Sequence, residues 1–208
     1  VIGAPTGRTM SEHIAEPGVP PTETSRSYSS LQRMLHWITA LIVIIMIPVG
    51  LYMVNRGKWS NFDALTNTLY SWHKLIGFCL LWLIVVRIIV RLMRGAPPPV
   101  PLHPLQRLAA EATHLGLYGL LLLVPILGWI GLSAYGAMDA ALGIKLPQII
   151  PKNETLSETI LYYHGWAAIG LGLLALMHIG AALMHRFIIR DGVFARMWPG
   201  SGDKSDRG

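Results

Sequence analysis

The chain has 208 residues, of which 52% are hydrophobic and only 13% charged. That balance excludes an ordinary soluble domain, and the length suits one compact unit with several membrane crossings of about 20 apolar residues each. The net charge of +6 could mean nucleic acid, but Lys and Arg fall between apolar blocks rather than on one soluble face, so they are read as topology signals and no nucleic-acid partner is expected.

In chain order, Val1 to Ser30 is polar, carries Pro5, Pro17, Pro20 and Pro21, and lacks the layout of a signal peptide. Residues 1–27 are expected to be a disordered extension, with Met10 a candidate start. The first span is predicted over Leu31 to Val54, capped by Ser29 or Ser30 and kinked at Pro48. The second runs from Thr66 to Met93, capped by Asp63 or Thr66; it contains the lone Cys79, which excludes an intrachain disulfide and reads as a small packing residue. A stiff link with Pro97, Pro98, Pro99 and Pro101 leads to a third span from Pro104 to Ala134. The connection Tyr135 to Glu154 is long, and its middle, ALGIKLPQII, is apolar enough to lie on a membrane surface. The fourth span runs from Leu156 to Ile189, with Thr155 and Glu158 matching a capping box. The expected organisation is therefore an all-α, up-and-down four-helix membrane bundle over 28–199, with a tail over 200–208.

Positive charge gives this bundle a direction. Arg26, Arg33, Arg91, Arg94, Arg107, Arg186, Arg190, Arg196, Lys204 and Arg207 flank one face, against Arg56, Lys58, Lys145 and Lys152 on the other. Ten against four predicts both termini in the cytoplasm and a multi-pass protein of a bacterial inner membrane.

Histidines inside the spans carry the chemistry. Polar groups in hydrocarbon are costly and functional by default, and imidazole is a good ligand for haem iron. His36, His73, His114, His164 and His178 lie well within the spans, with His185 near the end of the fourth. His73 and His164 match in depth near the outer side. His36, His114 and His178 lie near the inner level, and depth alone does not choose two of these three. His164 and His178 are 14 residues apart, about 40° from a common face and about 21 Å along the axis. One helix can thus supply a ligand to each of two haems, one near each surface. The alternative for any single histidine is an interhelical hydrogen bond. Small residues from Gly165 to Ala175 would admit a flat ring or a neighbouring helix. Arg87, 14 residues after His73, sits at the inner level, where a haem propionate would be its anionic partner and snorkelling to headgroups the alternative.

Several segments resemble the bacterial cytochrome b561 family of small di-haem membrane proteins. They are YSSLQRMLHW at Tyr28, SWHK around His73, VVRIIVRLM at Val85, THLGLYGLLLLVPILG at Thr113, YYHGWAAIGLGLLALMHIGAALMH at Tyr162 and RDGVFARMWP at Arg190, together covering Tyr28 to Pro199. The resemblance implies two haem b groups, the inner ligated by His36 and His178 and the outer by His73 and His164. It implies that His114 does not ligate, although it stays a candidate beside the quinone with His185, which the resemblance puts near the quinone site. Where the family has two adjacent histidines, this chain has His185 then Arg186.

A haem with two histidine ligands transfers electrons rather than binding oxygen. The expected function is therefore electron transfer across the membrane to or from a quinone, ubiquinone by resemblance. Some family members resemble a superoxide oxidase, an oxidoreductase passing electrons from periplasmic superoxide to ubiquinone. Lys74, Lys58, Arg56, Lys145 and Lys152 would give the outer side a field that steers an anion, or are ordinary solvated loop charges. Two alternatives stand beside it: a haem b subunit or tether serving a periplasmic redox protein, and a haem-free transporter or receptor.

Overall fold

A computed structural model describes residues 27–98 and 103–199. The expected N-terminal extension, apart from residue 27, and the tail over 200–208 lie outside the described residues, as does the centre of the proline link. Four long helices dominate: α1 (Ser30–Ser60), α2 (Ala64–Arg94), α3 (Pro104–Tyr135) and α4 (Glu154–Met184). All four are apolar enough to cross a membrane, and α4 continues to Ile189 as a wider π-turn. At about 1.5 Å per residue, 31 residues reach about 46 Å, so each helix outruns a hydrocarbon core of about 30 Å. The observed ends extend the predicted spans at both ends of α1 and α2, and by one or two residues elsewhere.

The caps explain where the helices begin. Ser29 and Gln32 form a capping box at α1, and Gln32 reaches across to the Gly95 carbonyl that ends α2. Asp63 caps α2, accepting from Thr66 N at 2.9 Å and Thr66 Oγ1 at 2.7 Å. The start of α4 corrects the sequence reading: Asn153, not Thr155, is the cap, accepting from Leu156 N at 3.0 Å. Thr155 lies inside the helix, and its carbonyl accepts from the Thr159 hydroxyl. Asparagine wins because its backbone is extended there while Thr155 is already helical. Helices α1 and α3 run through Pro48 and Pro125 without a break in either element.

The bundle is up-and-down: α1 lies along α2, α2 along α3 and α3 along α4. Its central core is Val43, Leu80, Ile84, Leu121 and Leu171. These positions follow a rule. Val43, Leu80 and Leu121 come seven residues after His36, His73 and His114, and Leu171 stands seven residues from both His164 and His178. Seven residues make about two turns, so a layer of aliphatic side chains separates an inner from an outer group of histidines.

The α3–α4 connection is folded against the outer helix ends. It contains a 3-10 turn at Ala141–Gly143 and a β-bridge between Asp139 and Lys145. Met138, Ala140 and Leu146 pack into Leu75, Phe78, Trp129 and Leu132 at the outer ends of α2 and α3. Trp129 Nε1 donates to Pro147 O at 2.9 Å, and Ile149 N donates to Ser133 Oγ at 3.0 Å. Leu142, Ile144 and Ile149 remain exposed. Within ALGIKLPQII, Ala141 and Leu146 are buried against the protein, and most of the segment stays exposed.

Candidate cofactor-binding site

The outer group is a pair. His73 of α2 and His164 of α4 have ring centres 6.3 Å apart, with planes at 89°. Each ring stands against a glycine of a third helix: a Cβ on Gly50 would come within 3.1 Å of the His73 ring, and one on Gly128 within 3.1 Å of the His164 ring. His164 Nδ1 lies 2.8 Å from the Val124 carbonyl. A carbonyl only accepts, so Nδ1 holds the proton and Nε2 is free to ligate. His73 Nδ1 is buried without a partner.

The inner group has three rings. His36 of α1 and His178 of α4 have centres 6.3 Å apart, with planes at 71°. His114 of α3 lies 5.5 Å from His178. Metal–nitrogen bonds of about 2 Å and about 1.15 Å from each nitrogen to its ring centre would separate two imidazoles on one metal by at most about 6.3 Å. The two candidate pairs reach that spacing, and the His114–His178 pair is closer at 5.5 Å. Among the described residues, no group of three or more His, Cys, Asp or Glu side chains forms a metal cage. A metal on either pair thus needs its other ligands from a macrocycle, and haem fits this donor set.

The inner group is also cationic. Arg87 Nη2 lies 2.9 Å from His36 Nδ1, and its guanidinium stacks over Tyr118 at 5.3 Å. Arg87 therefore points inward and does not snorkel. One turn on, Arg91 stacks over Tyr28 at 5.4 Å and leaves a buried Nη1 without a partner. No carboxylate hydrogen-bonds to either arginine among the described residues, so this end suits an anionic group. The sequence reading missed Arg91; its place one turn after Arg87 on the same helix was the available signal.

His185 lies apart from both groups, at the end of α4. Its Nδ1 is 2.6 Å from Asp191 Oδ2. At the opposite end, the expected positive field is smaller than the sequence predicted. Arg56 is ion-paired with Asp63 at 2.5 Å, and this guanidinium, with Thr66, holds the Asp63 carboxyl well below the usual carboxylate range. Lys74 donates to the carbonyls of Ala137 and Asp139, tying α2 to the outer loop.

Gly165 and Gly170 of α4 face open space, while Gly172 stands against Ile47 of α1. On the face that carries both histidines, Ala168 and Ala175 flank the buried Leu171.

The chain is 33% identical over 178 residues to "Cytochrome b561 homolog 2" of Escherichia coli (strain K12), covering 85% of this chain and 93% of that protein. It is 34% identical over 175 residues to "Cytochrome b561 homolog 1" of the same organism, covering 83% and 97%. It is 29% identical over 182 residues to "Probable superoxide oxidase CybB" of Yersinia pestis, covering 84% and 97%. The profile described as prokaryotic cytochrome b561 matches residues 27–200. With four apolar helices and histidines facing one another inside them, the chain belongs to the prokaryotic cytochrome b561 family of haem b membrane cytochromes.

Proposed function

We propose that the protein carries electrons across the bacterial inner membrane through two b haems, with a membrane quinone, ubiquinone by family likeness, as partner at the cytoplasmic face. The observation that carries this reading is the repetition of one 6.3 Å ring spacing at both ends of the bundle. His73 and His164 would hold the outer haem, and His36 and His178 the inner. The haems supply one-electron chemistry, and the chain supplies their ligands, charge partners and shielding.

Each side chain has a defined part. The Val124 carbonyl holds the His164 proton on Nδ1, which would leave Nε2 to ligate the haem iron. Gly50 and Gly128 let the outer rings seat beside α1 and α3. Ligation through Nε2 of His36 requires its proton on Nδ1. Arg87 only donates, so it must then leave that nitrogen, and a propionate is its natural partner, with Arg91 beside it. His114 supports His178 by ring contact without ligating. Val43, Leu80, Leu121 and Leu171 exclude water between the two sites.

The proposed activity is superoxide:ubiquinone oxidoreduction, which the likeness to the relative named a probable superoxide oxidase favours. The reading also takes both termini as cytoplasmic. A second reading, electron exchange with a periplasmic redox protein, is favoured by the outer loop, whose exposed Leu142, Ile144 and Ile149 offer an apolar contact beside the outer pair.

One experiment tests the core and separates the donors. Purified protein should show two haems b per chain by pyridine haemochrome and two midpoints in a redox titration. Superoxide added to the oxidised form should reduce the haems faster than buffer controls, and ubiquinone should reoxidise them. A preparation without a reducible b-type spectrum overturns the haem reading. Haems that ignore superoxide but are reduced by a periplasmic protein select the second donor.

A further inference from the structure

We propose that Asp191 is the positioning residue of a quinone-reducing site, holding His185 so that its Nε2 edge exchanges a proton with an oxygen of the quinone headgroup. This rests on the reading above, in which the cytoplasmic face passes electrons to a membrane quinone.

The backbone builds the pair. Regular α-helix ends at Met184, and His185–Ile189 form a π-turn, a widening that recurs at functional positions. Arg190 and Gly192, at φ 57° and 80°, then reverse the chain and bring Asp191 back beneath the helix end. Asp191 uses both oxygens: Oδ2 meets His185 Nδ1 at 2.6 Å, and Oδ1 accepts from Val193 N at 3.1 Å. A carboxylate here faces the negative pole of a 31-residue helix, an unfavourable place unless a partner holds it.

The pair stands beside a cavity of about 380 Å³, lined among others by His185, Phe187, Arg190 and Phe194. His185 lines it and Asp191 does not, so the carboxylate stands behind the imidazole, outside the lining. Two aromatic rings, two arginines (Arg186 and Arg190) and an imidazole suit a flat ring with oxygen on its edge. His185 follows His178 by seven residues, about 20° from the same helix face and about 10.5 Å along the axis.

The chemistry follows from the fixed tautomer. With the Nδ1 proton held by Asp191, neutral His185 presents Nε2 as an acceptor to a quinol hydroxyl. Protonated, it presents an N–H donor to a quinone carbonyl, balanced by the carboxylate. Reduction of the quinone takes two electrons, arriving singly from the inner haem, and two protons. One proton passes from Nε2 to the near oxygen, with His185 reprotonated from cytoplasmic water. The second oxygen takes its proton from water at the cavity mouth. N–H and O–H bonds are exchanged, and the two electrons turn the quinone's two C=O groups into the C–OH groups of the quinol.

The test uses full-length protein loaded with haem, chemically reduced, and mixed without oxygen with a short-chain ubiquinone in a stopped-flow instrument. Asp191→Asn should keep both haems and their midpoints, while the maximal rate of haem reoxidation falls about tenfold or more. The half-saturating quinone concentration should move by less than about threefold, because the groups that line the cavity are intact. Asp191→Glu should recover most of the rate. An unchanged maximal rate in Asp191→Asn overturns the proposal. So does a loss that falls on affinity alone, or a loss of haem in both variants, since either marks a purely structural residue. Wild-type haems that quinone does not reoxidise would instead overturn the underlying quinone reading.

Discussion

His114 shows how far residue identity alone reaches. Sequence depth put it level with His36 and His178, and only the family resemblance set it aside. In the structure its ring centre is 5.5 Å from that of His178, while the rings of both proposed pairs stand at 6.3 Å. The inner choice therefore has a direct test. His36→Ala or His178→Ala should remove the inner haem and spare most of the outer, and His73→Ala or His164→Ala should do the reverse. His114→Ala should retain two haems per chain by pyridine haemochrome, with at most a shifted inner midpoint. A His114 variant with one haem, beside a His36 variant with two, would reverse the assignment. The partners of these histidines were not legible: the Val124 carbonyl on His164 and the glycines against the outer rings come from other helices, and hydropathy carries no register between helices. Asp191 was missed for a related reason, because its use depends on a backbone reversal after the π-turn that periodicity does not encode.

At the scale of elements, the four spans were legible because long apolar runs bounded by caps and arginines have few other folds. Their ends were less so. Asn153 displaced the Thr155–Glu158 pattern at α4, since a capping box needs an extended first residue and Thr155 is already in the helix. The cap of α2 makes a pH prediction. Its Asp63 carboxyl is held below the ordinary range, first by Arg56 and then by Thr66. A carboxylate depressed in the folded state stabilises fully above its unfolded value of about 3.9, and that contribution is lost as pH falls through the lower folded value. The melting temperature of Asp63→Ala should therefore lie below wild type by a constant margin from neutral pH down to about 5, and the margin should close under more acid conditions. A margin that grows toward acid would show that Asp63 is not held as an anion. Close helix approach gives a second prediction. Gly128→Val would drive a branched side chain into the His164 ring, since a Cβ alone would meet it at 3.1 Å. Outer haem content should fall while the inner spectrum persists, with no ligand replaced. The middle layer differs: Leu171→Ala should keep both haems and cost about 2–4 kcal/mol in a denaturation series, because the buried leucine fills the space between the sites rather than touching a metal.

For the whole molecule, the open question is direction, because the bundle has one histidine pair near each end and every mechanistic reading depends on which end faces the cytoplasm. An even number of spans puts Tyr28 and Pro199 on one side, and the structure ties them together there: Trp37 Nε1 donates to the Met197 carbonyl, and Arg196 to the Pro98 carbonyl. Charge supplies the sense. The shared end carries Arg33, Arg91, Arg94, Arg107, Arg186, Arg190 and Arg196, while the opposite end has Arg56 bound to Asp63 and Lys74 bound to loop carbonyls. Only Lys58, Lys145 and Lys152 add further positive charge there, which the positive-inside rule reads as the exported side. With Cys79 changed to Ser, a single cysteine in place of Lys145 should react in whole cells with a membrane-impermeant maleimide. One in place of Arg190 should react only after the membrane is opened. The reverse pattern would turn the bundle over, put His185 and Asp191 in the periplasm, and leave the proposed quinone site without cytoplasmic water as its proton source.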